Sequence, residues 1–562
     1  MKLRAPHFFI PLLGLILLSG FALKKDESPE SILRKMSVQS GGRTKPFESF
    51  AEEALLSVTG KRSLERKKPT LVVWGWMAQP DRWYTQSFLP VRSEVLKKEF
   101  SLMVIGGKIS PELVLTHEPF QKKVQEALAK EQKKEKLDFL EKKRIELYDQ
   151  ARLFQTIAQG SIPGFFPVPG DLNRGWISLA GLADPEKRMI LEKTYSPAEL
   201  AGVQAALARL IQAFRENKKE DLRDAAAGFS AFINQMMESH GVGLDKNKID
   251  MELLYNQIRP FKWAWMFYLT AALLWFLLRD RAPHFALSFF CIAFVFHTFG
   301  FFLRCYLAGR PPVTNMYESI IWVAWAAAFF SSILGLIYRK TILPASAAWF
   351  AFFALLIGES FPTVLDPSLA PLVPVLRNNY WLTIHVLTIT LSYGAFGFAW
   401  AVAHALLIKF AFHPKKVQEQ EQLGEYLYRA LQIGVVLLTT GTILGGVWAN
   451  DSWGRFWGWD PKETWALIAL LGYLAVLHGR FAGWLGSFGT AIGTVLAFLG
   501  VLMAWYGVNF VLAAGFHSYG FGTGGFPYVS VVVFMDLIFI LFLAIRYNTQ
   551  KLRPVLSQKG KK

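Results

Sequence analysis

Ten continuous apolar runs constrain the fold of this chain more than any other feature. They lie at residues 7–23, 263–279, 285–305, 318–338, 342–358, 381–410, 430–447, 464–479, 486–507 and 529–546. An α-helix needs about 20 mainly apolar residues to cross the hydrocarbon core of a bilayer, and these runs approach or exceed that length. With 15% aromatic residues, including 47 Phe and 19 Trp, they predict an all-α polytopic membrane protein of about ten transmembrane helices.

The net charge of +18 is placed in alternate loops between these runs. One set of loops carries Lys and Arg, whereas 508–528 has neither and 359–380 has only Arg377. The basic set contains Arg279, Arg281, Arg339, Lys340, Lys409, Lys415, Lys416, Arg429, Arg480, Arg546, Lys551 and Arg553. Basic loops face the cytoplasm in membrane proteins. We therefore expect a multi-pass membrane protein whose basic loops face the cytoplasm, with no nucleic-acid partner.

Four segments follow from this pattern. Residues 1–23 form a signal peptide or an uncleaved anchor. Residues 24–261 are polar, long enough for a domain, and lie outside the cytoplasm by the alternation of the loops. Residues 262–547 form the membrane domain, and 548–562 form a basic cytoplasmic tail.

The extracytoplasmic domain is predicted to be mainly helical. Its composition predicts one long solvated helix over 117–160 and further helices over Pro197–Arg215 and Asp221–Met237, with Ser196 or Asp221 as helix caps. No carboxylate pair, nucleophile triad or phosphate loop stands out in it. We expect a docking or spacer domain.

Only two cysteines occur, Cys291 and Cys305. In one helix they would be about 21 Å apart, whereas a disulfide needs α-carbons within about 7 Å. The chain has no CxxC or CxxCH motif. It is therefore neither a dithiol oxidoreductase nor itself a c-type cytochrome.

A tryptophan-rich loop at 448–465 is the most informative stretch. Its five tryptophans are Trp448, Trp453, Trp457, Trp459 and Trp465. Interfacial tryptophans commonly anchor spans, but five in this window exceed what anchoring needs. Indole rings offer broad apolar faces against which a flat ligand such as a porphyrin can lie. We interpret Trp453, Trp457, Trp459 and Trp465 as cofactor-binding residues.

The sequence Asp460-Pro461-Lys462-Glu463 within this loop has two interpretations. It fits the start of a helix, with Asp460 as N-cap, Pro461 in the first turn and Glu463 completing a capping box. It also fits an added role, in which Asp460 helps to steer the ligand or an incoming protein. Lys462 and Arg455 are candidates to face haem propionates.

Two histidines are predicted at the same level as this loop. His385 lies just inside the outer end of its run, and His517 lies in the outer loop 508–528. Neutral imidazole is a common axial ligand of haem iron, and two of them would hold both faces of the ring. We predict His385 and His517 as iron ligands and as the residues central to the reaction.

Other polar residues lie within the apolar runs or at their ends. Ionisable groups inside a membrane are costly and suggest function. His478 and His297 are therefore predicted as ligands of a second, intramembrane haem site, with His404 as a competing candidate. Arg310 either binds a haem propionate or pairs with Glu318.

Four motifs resemble one known family. The run from Trp453 to Ile468 reads WGxxWxWDPKETWALI and resembles the WWD signature of haem-handling proteins of cytochrome c assembly, specifically the CcsA (ResC) branch. Residues 309–319 resemble its G-x-x-P-x-x-N-x-Y-E-S motif, and 381–386 its W-L-x-x-H-V motif. Tyr506–Asn509 with His517–Gly520 resembles its closing G-V-N and H-S-Y-G motifs. The resemblance covers roughly 263–546.

The resemblance implies a System II cytochrome c synthetase component, the haem-presenting part of a haem lyase, in the bacterial inner (cytoplasmic) membrane. His385 and His517 then correspond to the external histidines and His478 to an intramembrane ligand. Haem b would be the substrate in transit. The implied partners are a separate CcsB (ResB)-like membrane protein, apocytochrome c, and a thiol-reducing protein that keeps the CxxCH cysteines reduced.

Two alternatives remain at this point. One is a haem transporter or chaperone of the CcmC kind, which passes haem on without forming the bond. The other is a b-type electron-transfer protein, which would pair haem ligands across spans at two depths and would not need the tryptophan loop.

Overall fold

The computed structural model describes residues 27–100, 103–168, 175–242, 244–278, 281–372, 379–512 and 525–559. These residues divide into two compact units that meet in sequence between Gln257 and Ile258. We call them the N-terminal unit and the membrane unit.

The N-terminal unit is mainly helical and also holds a small sheet. Its helices are α1 (Pro29–Arg34), α2 (Phe47–Thr59), α3 (Pro69–Ala78), α4 (Pro80–Thr85), α5 (Glu94–Phe100), α6 (Pro111–Thr116), α7 (Glu118–Gln132), α8 (Phe139–Ala158), α9 (Pro185–Glu192), α10 (Pro197–Glu216), α11 (Lys219–Ser239) and α12 (Lys246–Ile258). Its strands are β1 (Ser37–Ser40), β2 (Arg43–Pro46), β3 (Leu89–Pro90), β4 (Lys108–Ile109), β5 (Gly164–Phe166) and β6 (Ile177–Ser178). Four strands pair antiparallel in the order β2-β1-β5-β6, and β3 pairs with β4.

Aromatic rings fill the core of the N-terminal unit. Trp74 is 1% exposed and its ring lies 5.1 Å from that of Phe47, 5.7 Å from Phe165 and 5.9 Å from Phe229. This packing joins α2, α3, β5 and α11 around one apolar centre.

The prediction of one long helix over 117–160 is wrong. The chain leaves the helix after Gln132, Lys134 takes a positive φ of 58°, and α8 begins again after Asp138. Asp138 and Glu141 form a capping box there, which satisfies backbone N–H groups at the new start. The cap at Ser196 lies where expected, whereas α11 begins after Lys218 and not at Asp221.

The membrane unit confirms the predicted class, an all-α polytopic membrane protein. Nine helices in the described residues are long and apolar enough to cross a membrane, and the predicted first span at 7–23 lies outside those residues. The α-helices that form these spans, alone or with an adjoining helical segment, are α13 (Pro260–Leu278), α14 (Pro283–Ala308), α15 (Met316–Tyr338), α16 (Ile342–Ser360), α17 (Leu387–Phe412), α18 (Val417–Trp453), α19 (Pro461–Phe481), α20 (Ser487–Leu502) and α21 (Phe526–Lys559).

Helix α17 is central to this bundle and packs against α15, α18 and α20. Its Phe396 stacks on Tyr473 of α19 with ring centroids 3.7 Å apart and planes 1° apart. A Cβ at Gly441 of α18 would lie 2.8 Å from the Cα of Ile389, so glycine is what lets the start of α17 approach α18 this closely.

Two π-helical segments extend these helices. Leu382–Val386 precedes α17, and Met503–Leu512 follows α20. Such segments interrupt the regular backbone ladder and often occur at functional sites. Both lie at the ends of the bundle from which the candidate site is built.

Candidate functional site

Five helix ends meet around one cavity in the membrane unit. Its volume is about 160 Å³, and it is partly open to solvent. The lining residues are Val313, Thr314, Asn315, Met316, Ser319, His385, Val386, Ile389, Thr390, Tyr393, Thr442, Gly445, Gly446, Trp448, Phe456, Trp457, Lys462, Glu463, Ala466, Ala504, Trp505 and Asn509. Residues from all four motif regions therefore share one space.

The first π-helical segment places His385 in this cavity. Its Nδ1 lies 2.8 Å from the carbonyl oxygen of Gly441. A carbonyl oxygen only accepts hydrogen bonds, so Nδ1 carries the proton and the lone pair of the neutral ring is on Nε2. The imidazole ring also lies 5.6 Å from that of Trp448, which is 7% exposed. Ligating histidines typically have this kind of supporting carbonyl.

Gly445 makes room for that imidazole. A Cβ on Gly445 would lie 2.6 Å from Cε1 of His385, closer than real Cβ atoms come. Neighbouring Gly446 similarly accommodates the ring of Phe456. The glycines at the end of α18 thus let two rings approach its backbone.

The predicted tryptophans divide into two groups. Trp448 and Trp457 line the cavity, and the Trp457 ring meets that of Trp459 edge-on at 5.9 Å and 88°. Trp453, Trp459 and Trp465 are not in the lining, and Trp459 is 69% exposed. The Arg455 guanidinium lies 5.6 Å from the centre of the Trp453 ring.

The Asp460–Glu463 segment forms the expected helix start. The Asp460 side chain accepts from the backbone N–H of Lys462 at 2.9 Å. Glu463 Oε2 accepts from the N–H of Asp460 at 3.1 Å and of Gly458 at 2.8 Å, and its Oε1 lies 3.4 Å from Arg455. Capping thus accounts for both acids structurally, and Asp460 is not in the lining. Lys462 does line the cavity.

Arg310 is placed in a buried cluster around Glu318. Arg304 bonds Glu318 Oε1 at 2.8 Å and Arg310 bonds Oε2 at 3.0 Å, while Thr314 donates to Oε2 from its backbone N–H and its hydroxyl. Arg304 and Glu318 are 0% exposed. Of the two interpretations of Arg310, the structure places it in the ion pair, outside the cavity lining. The cluster fixes Thr314, which does line the cavity.

The histidines within the spans have different surroundings. Nε2 of His297 lies 3.0 Å from the carbonyl of Ile321, and Nδ1 lies 3.4 Å from the hydroxyl of Tyr268. Both ring nitrogens of this fully buried residue are therefore engaged. This environment favours a structural role over the predicted ligation.

His404 bridges two helices. Its Nδ1 faces the carbonyl of Trp400 at 2.9 Å, and its Nε2 faces Asp536 of α21 at 2.8 Å. His478, in contrast, is exposed, and its Nδ1 donates to the carbonyl of Leu474 at 2.8 Å. Within the described residues, no group of three or more His, Cys, Asp and Glu side chains is arranged to hold a metal ion.

Sequence reasoning missed part of the site. Asn509 belongs to one of the sequence motifs, whereas Trp505, the residue beside it in the cavity wall, belongs to none of them. The sequence pattern also does not predict that Trp505 Nε1 donates to the Ser319 hydroxyl at 2.8 Å. His517, the predicted second external ligand, lies outside the described residues.

The fold and the cavity define a polytopic helical membrane protein with an aromatic, histidine-bearing site at one end of its bundle. Comparison with known proteins identifies the family. Residues 313–516 match the family model described as cytochrome C assembly protein. The chain is 34% identical over 266 residues to the cytochrome c biogenesis protein CcsA of Synechococcus sp. (strain CC9605), covering 41% of this chain and 84% of that protein. It is 32% identical over 283 residues to CcsA of Synechococcus sp. (strain CC9902), covering 44% and 90%.

This chain therefore belongs to the CcsA family of cytochrome c biogenesis proteins, which confirms the resemblance drawn from the motifs. A longer relative is protein NrfI of Wolinella succinogenes, 29% identical over 506 residues. That match covers 86% of this chain and 53% of NrfI, so the chain spans about half the length of that protein.

Proposed function

We propose that the cavity binds haem as a substrate and presents it for covalent attachment to the CxxCH motif of apocytochrome c. One observation carries the proposal: His385 lines an aromatic cavity and its Nδ1 is held by the Gly441 carbonyl, which puts the lone pair of the ring on Nε2, the nitrogen that would bond iron. Trp448 and Trp457 supply flat apolar surface beside it. His517 is the proposed second axial ligand.

We also propose that the cavity opens on the extracytoplasmic side of a bacterial cytoplasmic membrane. The lining residues come from helix ends opposite the basic loops, such as the start of α17 and the end of α18, and from the loops that join these ends. The loops at the other ends carry Arg339, Lys340, Lys415 and Lys416. Basic loops face the cytoplasm, which supports an outer position for the cavity and for the N-terminal unit.

The proposed chemistry is addition of two thiols across the vinyl groups of haem b. Each cysteine S–H adds to one C=C bond and gives a C–S thioether and a new C–H bond, so no electrons are gained or lost. A thiol-reducing partner must supply the CxxCH cysteines in reduced form. The CxxCH histidine replaces one axial ligand. The chain acts by positioning, which makes an otherwise slow bimolecular addition effectively intramolecular.

The proposed route of haem includes His478. Its ring is exposed on the surface of the bundle, and its Nδ1 donates to Leu474, which puts the lone pair on Nε2. An exposed histidine in a span suits a ligand shared with another protein. We propose that a CcsB (ResB)-like membrane partner supplies the opposite ligand there.

The proposal is tested by expressing the full chain with apocytochrome c and a CcsB-like partner in cells that lack their own maturation system. Covalent haem on the cytochrome is then measured by haem staining after denaturing electrophoresis. His385→Ala should abolish the covalent product. His413→Ala, a change outside the cavity lining, is the matched control and should leave it unchanged.

Covalent cytochrome made at the wild-type level by His385→Ala would overturn the proposal. Haem bound by the wild-type chain without covalent product, despite reduced apocytochrome, would instead support a haem chaperone that does not form the bond.

A further inference from the structure

The second π-helical segment contributes to the cavity wall a residue whose side chain has an unmatched hydrogen-bond acceptor. Asn509 is 5% exposed and lines the cavity. Its Nδ2 donates to the carbonyl of Trp505 at 2.9 Å. Its Oδ1 is buried and accepts no hydrogen bond from any residue that the structure describes. Leaving a buried acceptor unsatisfied costs free energy, so this atom favours a cavity ligand that carries a hydrogen-bond donor.

The orientation of this amide follows from its surroundings. Exchanging the two ends would place Oδ1 against the Trp505 carbonyl oxygen, and two acceptors would then face each other. Oδ1 is therefore the atom of this amide that lacks a partner among the described residues.

Three hydroxyl groups of the cavity wall direct their protons to the helix backbone. Ser319 donates to the carbonyl of Met316 at 2.9 Å, and Thr442 donates to that of Leu438 at 2.8 Å. Thr390 likewise donates to the carbonyl of Val386. These oxygens keep only lone pairs for the interior. Together with Asn509 Oδ1, these oxygens are acceptors that suit a donor group on the ligand.

Haem has few groups that meet this requirement. Its vinyl and methyl substituents are apolar, and its pyrrole nitrogens hold the iron. An un-ionised propionic acid provides an O–H. For attachment, the vinyl edge must face the incoming apocytochrome, so the opposite edge with the two propionates faces the wall. Lys462 lines the cavity and suits one propionate as an anion. A second carboxyl buried away from this cation is more stable as the neutral acid.

We infer that Asn509 Oδ1 accepts a hydrogen bond from the un-ionised carboxyl of one haem propionate. The cavity then selects porphyrins with free carboxyl groups, and Asn509 is a positioning residue that turns the vinyl edge outward. This inference rests on the proposed binding of haem.

The test compares haem with haem dimethyl ester, which has no O–H to donate. Full-length protein from haem-deficient cells is placed in nanodiscs and titrated with each compound, and the Soret absorbance gives the two dissociation constants. Wild type should prefer haem. In Asn509→Leu the ratio of the two dissociation constants should fall about fivefold, which corresponds to the loss of one neutral hydrogen bond.

Two further variants keep the result interpretable. Asn509→Thr restores an acceptor whose own proton can go to the helix backbone, so it should retain most of the preference. Asn450→Leu changes an exposed asparagine outside the lining, at the same end of the bundle, and should behave as wild type.

An unchanged preference in Asn509→Leu, or none in wild type, overturns the inference while haem binding through His385 stands. Absence of His385-dependent haem binding in wild type overturns the proposed function and this inference together.

Discussion

The surroundings of His385 and His297 differ in a way that histidine content alone does not show. Both residues lie in helices of the membrane unit, and both contact a backbone carbonyl. His385 uses Nδ1 for that contact and lines a cavity. His297 uses Nε2, and its other nitrogen meets Tyr268 in a fully buried pocket. The nitrogen that meets the carbonyl and the presence of a cavity beside the ring, rather than the depth of the residue, separate a candidate ligand from a structural histidine.

The largest effect is expected from removing the imidazole in the cavity. His385→Ala should lower the haem content of the purified protein about tenfold or more, because an axial ligand of the iron is lost. The Soret absorbance per mole of protein measures this content. Equal losses of haem content in His385→Ala and His297→Ala would contradict the proposed difference between the two histidines.

A smaller effect is expected from the cation in the cavity. Lys462→Gln should weaken haem binding about three- to tenfold, because a charge-assisted bond to a propionate is lost. Arg429→Gln removes a charge outside the cavity lining and is the control. Titrations at low and high ionic strength should show the difference shrinking with salt. Unchanged affinity would exclude Lys462 as a propionate ligand.

Crowding the His385 ring should have an intermediate to small effect. In Gly445→Ala the new methyl group meets Cε1 at 2.6 Å, which forces the ring from its rotamer and should cut haem affinity about two- to fivefold. Gly472→Ala is matched to it, since its Cβ would meet only Ala497 at an ordinary 3.7 Å. Haem titration compares the two, and equal affinities would mean that the position of the ring is immaterial.

The smallest effect on haem is expected in the buried pocket. His297→Phe should keep haem affinity within about twofold and lower the stability of the fold by about 1–3 kcal/mol, because Tyr268 and the Ile321 carbonyl lose their partner. Thermal unfolding and haem titration on the same sample separate the two effects. Loss of haem without loss of stability would make His297 a ligand after all.

Much of the fold can be predicted from the sequence because a helix that crosses a bilayer must consist mainly of apolar residues. Apolar runs and basic loops mark the spans. Their alternation predicts that His385, Trp457 and Lys462 lie at the same end of the bundle, and all three line the cavity. Capping chemistry is local, so the roles of Asp460 and Glu463 were also predictable.

Other features depend on contacts that no local pattern encodes. The partners of His297 come from α13 and α15, and the unmatched oxygen of Asn509 arises from a π-helical segment. The interruption between α7 and α8 at Lys134 could not be predicted, because the Lys- and Glu-rich residues on both sides of it favour a helix. The sequence also does not decide whether Arg310 pairs with Glu318 or with a propionate, because the answer depends on how the helices pack.

The most direct measurement is an experimental map of the haem-loaded protein in its membrane. We predict iron bonded to Nε2 of His385, with the Nδ1 contact to Gly441 preserved and the porphyrin against Trp448 and Trp457. Haem held elsewhere, or bonded through Nδ1 with the Gly441 contact broken, would contradict the account.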